Sequence, residues 1–107
     1  NSKKSFGGSG AQRSGFLAKT GLELQELGPE LRMKWEIAPS VQGLLVSEVA
    51  DKSPADKAGL VRGDILLEIK QQKVTRVIEA EKLLNSKGSY LLKILRGNSV
   101  ALFSLKI

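Results

Sequence analysis

Residues Ser53–Asp64 read SPADKAGLVRGD, and the apolar run ILLEI follows them. Ser53 suits a helix N-cap, because its hydroxyl can accept a hydrogen bond from the backbone N–H of Asp56. Pro54 takes the first helical position, where its missing N–H costs nothing. Asp56 completes a capping-box-like pair and sits at the positive end of the helix dipole. Ala55 and Ala58 are small enough to let the helix lie close against a sheet. Gly59 can adopt the left-handed conformation that ends a helix, and Leu60 then points back into the core. Gly63 allows a second tight turn, and Asp64 can hold loop amides before the next strand. The stretch therefore predicts a helix of about one and a half turns that plugs one side of a β structure. It fixes the fold and does no chemistry of its own.

On either side the pattern is mainly β. Leu44–Val49 (LLVSEV) and Asp64–Ile69 (DILLEI) are β-prone runs, and QQK after Ile69 is short enough for a tight turn. Residues 77–88, VIEAEKLLNSKG, read as a helix with Val77, Ala80, Leu83 and Leu84 in one stripe and Gly88 as its C-cap. YLLKIL and VALFSLKI are strands joined by RGNS, a hairpin signal. Nearer the start, Leu22–Gln25 alternate apolar and polar, as a half-buried strand does. GPELRMKWEI (28–37) reads either as a short helix opened by Pro29 or as a strand carrying Leu31, Met33, Trp35 and Ile37. Trp35 is expected to be buried. The whole predicts a mainly β fold with two helices, a partly open antiparallel barrel capped by a short and a longer helix. Residues 1–18, rich in Gly, Ser and Lys, read as a flexible linker or tag, leaving 19–107 as the domain.

The chain's 107 residues suit one domain. It contains neither cysteine nor histidine, which excludes disulfides, thiolate metal sites and a Ser-His-Asp triad built from this chain alone. The net charge is +6, of which residues 1–20 hold +4 through Lys3, Lys4, Arg13 and Lys19, so the remainder is nearly balanced. No aromatic residues alternate with the basic ones, which counts against a small basic nucleic-acid-binding barrel. No apolar run approaches the roughly 20 residues that span a bilayer. The N-terminus shows no signal-peptide h-region, so an export signal would lie outside this sequence. Neither GGSG in the tail nor any Ser-Lys pair is placed by a catalytic motif, and no cofactor or metal is expected.

The run SPADKAGLVRGDILLEIKQQKV (53–74) resembles the signature of PDZ domains, above all bacterial ones, with its pattern S-P-A-x-x-A-G-L-x-x-G-D-x-I. KTGLELQEL, VQGLLVSEV and the segment from Val77 to Leu105 extend the resemblance over residues 19–107. Among subfamilies it is most similar to the PDZ domains of HtrA/Deg-type (DegP-like) serine proteases. The resemblance implies a non-catalytic module that binds C-termini or unfolded chains as an added β-strand. The peptide carboxylate would lie in a loop of backbone amides. That loop would be Lys19, Thr20, Gly21 and Leu22. The unpaired strand edge would be Leu22, Glu23, Leu24 and Gln25, and the apolar wall would come from Val77, Ala80 and Leu84. Thr20 stands where the family usually carries a hydrophobic residue. Ala80 leaves room for a bulky terminal side chain. The histidine that many eukaryotic members place at the start of this helix is absent, which argues against a preference for Ser or Thr two residues before the terminus.

Further expectations rest on the same resemblance: a periplasmic or cell-envelope location, and contacts with neighbouring protease or PDZ domains in an oligomer. Nucleic acid and membrane insertion are not expected. Alternative hosts for such a domain are a tail-specific protease, a site-2 (intramembrane) protease and a secretion-system component.

Overall fold

The computed structural model describes residues 14–107. The short helix at the centre of the sequence forms as its residues dictate. It is α2 (Pro54–Ala58), capped by Ser53 Oγ accepting from Asp56 N at 3.2 Å. Asp56 does not close the capping box onto Ser53; its carboxylate accepts from Lys52 N at 2.9 Å. Gly59 ends the helix at φ 97°, and Leu60 N donates to Ala55 O at 3.1 Å, which turns Leu60 into the core.

Among the described residues, seven strands form one antiparallel sheet. They are β1 (Ser14–Leu17), β2 (Leu22–Glu26), β3 (Leu44–Val49), β4 (Ile65–Ile69), β5 (Gln72–Lys73), β6 (Ser89–Arg96) and β7 (Ser99–Lys106). The order across the sheet is β1-β2-β3-β4-β6-β7, with β5 paired to β4 outside that path. The mainly β, partly open antiparallel architecture expected from the sequence takes the form of an open sheet. The tight turn after Ile69 is made by Lys70 at φ 52° and Gln71 at φ 68°, the left-handed pair that matches strand twist, and the rest of QQK, Gln72 and Lys73, is already strand β5. A bulge at Ser47 interrupts the β2–β3 ladder, and the Ser47 hydroxyl donates to Glu23 O at 3.1 Å.

Among the described residues there are three helices rather than two. The ambiguous segment at residues 28–37 is helical over α1 (Pro29–Lys34), started by Pro29. It packs Leu31 with Leu45 and Ile65 into a small second core, and Trp35 lies half-buried against it. The third helix, α3 (Val77–Leu83), is shorter than its sequence pattern: Leu84 is its C-cap, and Gly88 lies beyond it, exchanging backbone hydrogen bonds with Ile107. The main core lies under α2 and α3, built from inward residues of β2, β3, β4 and β6 together with Leu60, Val74, Ala80, Leu84 and Leu105. Each fully buried leucine there stabilises the fold by about 1.5–3 kcal/mol.

The domain begins no later than Ser14, because Ser14–Leu17 pair with β2 and Leu17 enters the core. The linker assignment for residues 1–18 therefore fails at its last residues. Two things conceal that strand in the sequence: it is only four residues long, and it follows a Gly/Ser-rich run. The rest of the proposed linker, residues 1–13, lies outside the described residues.

Asp64 does more than hold its loop. Its carboxylate accepts from Val61 N at 3.0 Å and takes a two-pronged grip from Arg96, Nε to Oδ1 at 2.8 Å and Nη2 to Oδ2 at 2.8 Å. Arg96 also donates to Gly59 O at 2.9 Å and lies over the Phe103 ring. The hydrogen bond from Arg96 to Asp64 raises the guanidinium pKa further above its usual value. One buried carboxylate thus ties the end of α2, the start of β4 and the end of β6 together.

Candidate functional site

The turn between β1 and β2 is shaped by its contact with α2. Gly21 sits at φ 82°, and a Cβ there would lie 2.2 Å from Ser53 Cβ, so no other residue fits without moving the α2 cap. Gly21 O accepts from Ala50 N at 2.8 Å, and Thr20 O accepts from Ala55 N at 3.0 Å. With its carbonyls held from behind, the turn presents its donors forward. Thr20 N at 3.0 Å, Thr20 Oγ1 at 3.1 Å and Gly21 N at 2.8 Å all donate to a single oxygen, the carbonyl of Leu17. Thr20 is fully buried, and its hydroxyl also accepts from Leu22 N at 3.2 Å. The hydroxyl thus acts inside the turn, where an apolar side chain would only fill space.

Along the same side of β2 runs β1, antiparallel, in the register Ser14↔Gln25, Gly15↔Leu24, Phe16↔Glu23 and Leu17↔Leu22. β3 pairs with the opposite edge of β2, so β1 holds the outer one. On its far side lies α3. A Cβ on Gly15 would come 2.8 Å from Val77 Cγ1. Phe16 and Leu17 border an open cavity of about 500 Å³ with Lys19, Glu81, Lys82, Leu84 and Asn85 around it. Strand β1 therefore fills the space between β2 and α3.

Polar contacts fix both ends of that space. At one end Glu26 Oε2 accepts from Val77 N at 3.0 Å, joining the end of β2 to the first turn of α3. Glu79 secures the same turn by accepting from Thr75 N at 3.0 Å and Arg76 N at 3.2 Å. The Thr75 amide, followed by the Arg76 amide and charge, holds the Glu79 carboxyl below the usual glutamate range. At the other end Lys19 Nζ donates to the backbone oxygen of Asn85, just beyond α3.

Of the ten residues singled out from the sequence, Lys19 and Leu84 border that cavity and Val77 lines the opening beside Gly15. Lys19, Thr20, Gly21 and Leu22 form the turn; Leu22, Glu23, Leu24 and Gln25 form the strand beside it; Val77, Ala80 and Leu84 belong to the opposing helix and its cap. Two expectations need correction. The strand edge is not unpaired, because β1 covers it. Leu22, Leu24, Ala80 and Leu84 are core residues with at most 2% of their surface exposed, so within this arrangement they support the groove from beneath. Leu17 of β1, which the linker reading had covered, also borders the cavity. Glu26 and Asn85 were also missed, and no local signal marks them: each acts on a segment more than fifty residues away.

The family model for "PDZ domain" matches residues 45–96, from β3 to the end of β6. The chain belongs to the PDZ family. A probable periplasmic serine endoprotease DegP-like protein of Chlamydia trachomatis serovar D is 37% identical over 92 residues, covering 84% of this chain and 18% of that protein. The periplasmic serine endoprotease DegP of Escherichia coli K12 is 42% identical over 59 residues, or 54% of this chain and 12% of the relative. The chain thus spans about a fifth or less of the curated relatives it matches. Among solved structures, the HtrA3 PDZ domain bound to a phage-derived ligand, FGRWV, superposes with a TM-score of 0.74 at 23% identity, over 90% of this chain and 86% of that one. The HtrA-type protease AlgW, with a decapeptide, gives 0.73 at 21% identity over 89% and 29%. What this PDZ domain shares with the proteases is a non-catalytic region, and it has no histidine for a serine-protease triad.

Proposed function

We propose that this PDZ domain recognises the C-termini or unfolded segments of other polypeptides by strand addition in the groove between β2 and α3, as the non-catalytic module of an HtrA-type serine protease. The observation that carries this reading is the convergence of three donors, Thr20 N, Thr20 Oγ1 and Gly21 N, on one oxygen at the end of a strand edge. A carboxylate seated there would make charge-assisted bonds, roughly twice as strong as those to a neutral carbonyl. On the opposite wall, Val77 of α3 makes the nearest contact to Gly15 and is apolar, with Arg76 and Glu81 to either side. The HtrA3 PDZ domain bound to a phage-derived ligand and AlgW with a decapeptide support the same use of the fold. A module of this kind in a periplasmic protease would capture substrate ends, or neighbouring subunits, for a separate catalytic domain.

The test is binding of a library of fluorescent peptides with free C-termini, each compared with its C-terminal amide. The reading expects some members to bind and amidation to weaken them at least tenfold. Val77→Asp, at a half-buried groove position, should weaken the same members while the domain stays folded. Leu22, being fully buried, would report folding instead. Binding that is indifferent to amidation would refute the carboxylate seat.

A further inference from the structure

Resting on the reading of the β2–α3 groove as the peptide site, we infer that Ser14–Leu17 is an internal occupant of that site. External ligands must displace it, and their sequence is foreshadowed by its own. The strand lies on β2 antiparallel and in full register. Its last residue, Leu17, places its carbonyl on the three turn donors. Those same hydrogen bonds close the hairpin turn. A partner's carboxylate and the closed hairpin therefore compete for the same N–H groups and cannot both be satisfied.

The occupant's burial defines what the groove selects. Leu17 is buried and Gly15 half-buried, whereas Ser14 and Phe16 are exposed. The last position thus takes an aliphatic side chain. The third from last is restricted to a very small residue, because a Cβ on Gly15 would come 2.8 Å from Val77 Cγ1. The positions between and before are permissive. The preferred ligand class is a free C-terminus of the form Gly-x-aliphatic, with no single charge favoured at the remaining positions, because Glu81 stands beside Lys19 and Lys82 at the cavity rim.

Competition has a predictable size. β1 is tied to the groove through only four residues, Ala18–Gly21, so its effective concentration is of millimolar order or above. A site free for a fraction f of the time binds with an apparent Kd of the intrinsic value divided by f, so a strand docked 90–99% of the time would weaken external ligands about 10- to 100-fold.

The experiment uses the full chain and a labelled hexapeptide, Gln-Arg-Ser-Gly-Phe-Leu with a free carboxylate, in three forms of the protein. The wild type should bind weakly. Leu17→Asp, which removes the buried anchor of β1, should bind at least tenfold more tightly. A Ser14→Cys/Gln25→Cys double variant joins register partners in a chain with no native cysteine, within the span a disulfide bridges. Oxidised, it should not bind; reduced, it should bind as the wild type does. It decides the question alone if the Leu17 variant fails to fold. Replacing the peptide's glycine by valine should cost at least tenfold. Equal affinity in wild type, Leu17→Asp and the oxidised pair would overturn the inference and leave the groove's peptide role standing. Failure of every form to bind both the hexapeptide and the wider library would overturn that role as well.

Discussion

The turn that gathers the donors depends on Gly21, and Gly21→Ala measures that dependence. At φ 82° an alanine adopts the left-handed conformation, at about 1–2 kcal/mol. Its Cβ would lie 2.2 Å from Ser53 Cβ and 2.4 Å from Ser53 Oγ, so Ser53 must move. Ser53 is the N-cap of α2, and losing such a cap costs about 1 kcal/mol. Together these give a loss of about 2–3 kcal/mol, or roughly 10–20 °C in Tm for a domain of this size. Urea unfolding followed by tryptophan fluorescence gives the free energy, since Trp35 is the only tryptophan. Gly97→Ala serves as the control: at φ 63° with nothing within 4 Å of its Cβ, it should lose only the conformational part, about 1–2 kcal/mol. A loss at Gly21 no greater than at Gly97 would show that the packing of the turn on Ser53 does not constrain it.

Arg96→Met should destabilise by about 2 kcal/mol. This is less than the roughly 3–5 kcal/mol for a fully buried pair, because Arg96 is half exposed while Asp64 is not; unchanged urea stability would show the pair to be dispensable. Glu79→Gln tests the α3 cap through pH. The Glu79 carboxyl is held below its unfolded value, so its contribution is present above about pH 4.3 and is lost as pH falls through the folded pKa. The wild type should therefore exceed the variant at pH 7 and approach it near pH 3; a constant gap between those pH values would contradict the cap's ionic character. Leu84→Ala, at a core position 2% exposed, should cost about 2–5 kcal/mol in thermal or urea unfolding, and a loss under 1 kcal/mol would place Leu84 outside the core.

The parts of the fold held by local chemistry were legible in the sequence. Ser53, Pro54 and Gly59 each act on backbone within a few residues, and α2 follows from them. The later strands also follow, from β-prone runs and the RGNS hairpin signal; burial alternates along β6 but not along β7, where Val100 and Leu102 stay exposed. What escaped the sequence depends on distant partners. α1 and a strand fit the spacing of Leu31, Met33, Trp35 and Ile37 equally well, and only the second core, with Leu45 and Ile65, settles the matter. α3 stops at Leu83 although its apolar stripe continues, because Leu84 serves the core from a cap position. Gly88, taken for the cap, is instead paired with the C-terminal residue Ile107.

The candidate site divides in the same way. Lys19–Gln25 were placed by the resemblance of KTGLELQEL to the family's strand-entry segment; the alternation of Leu22–Gln25 by itself announced only a half-buried strand. That the edge beyond it is covered could not be read. β1 has four residues, its preceding sequence looks like a linker, and its partner edge is defined only once α3 closes the groove. Asp64 was expected to bind loop amides and does, yet its charge partner Arg96 is 32 residues away with nothing local to announce it.

Carboxylate capture by the β1–β2 turn is tested most directly by the backbone amide resonances of Thr20 and Gly21 while a peptide ending in Gly-Phe-Leu is added to the full chain. These two signals and those of β2 and α3 should shift together, Ser14–Leu17 should lose their paired signature, and the amidated peptide should produce far smaller changes. Shifts confined to another surface, or a saturating complex in which Thr20 and Gly21 do not respond, would contradict it.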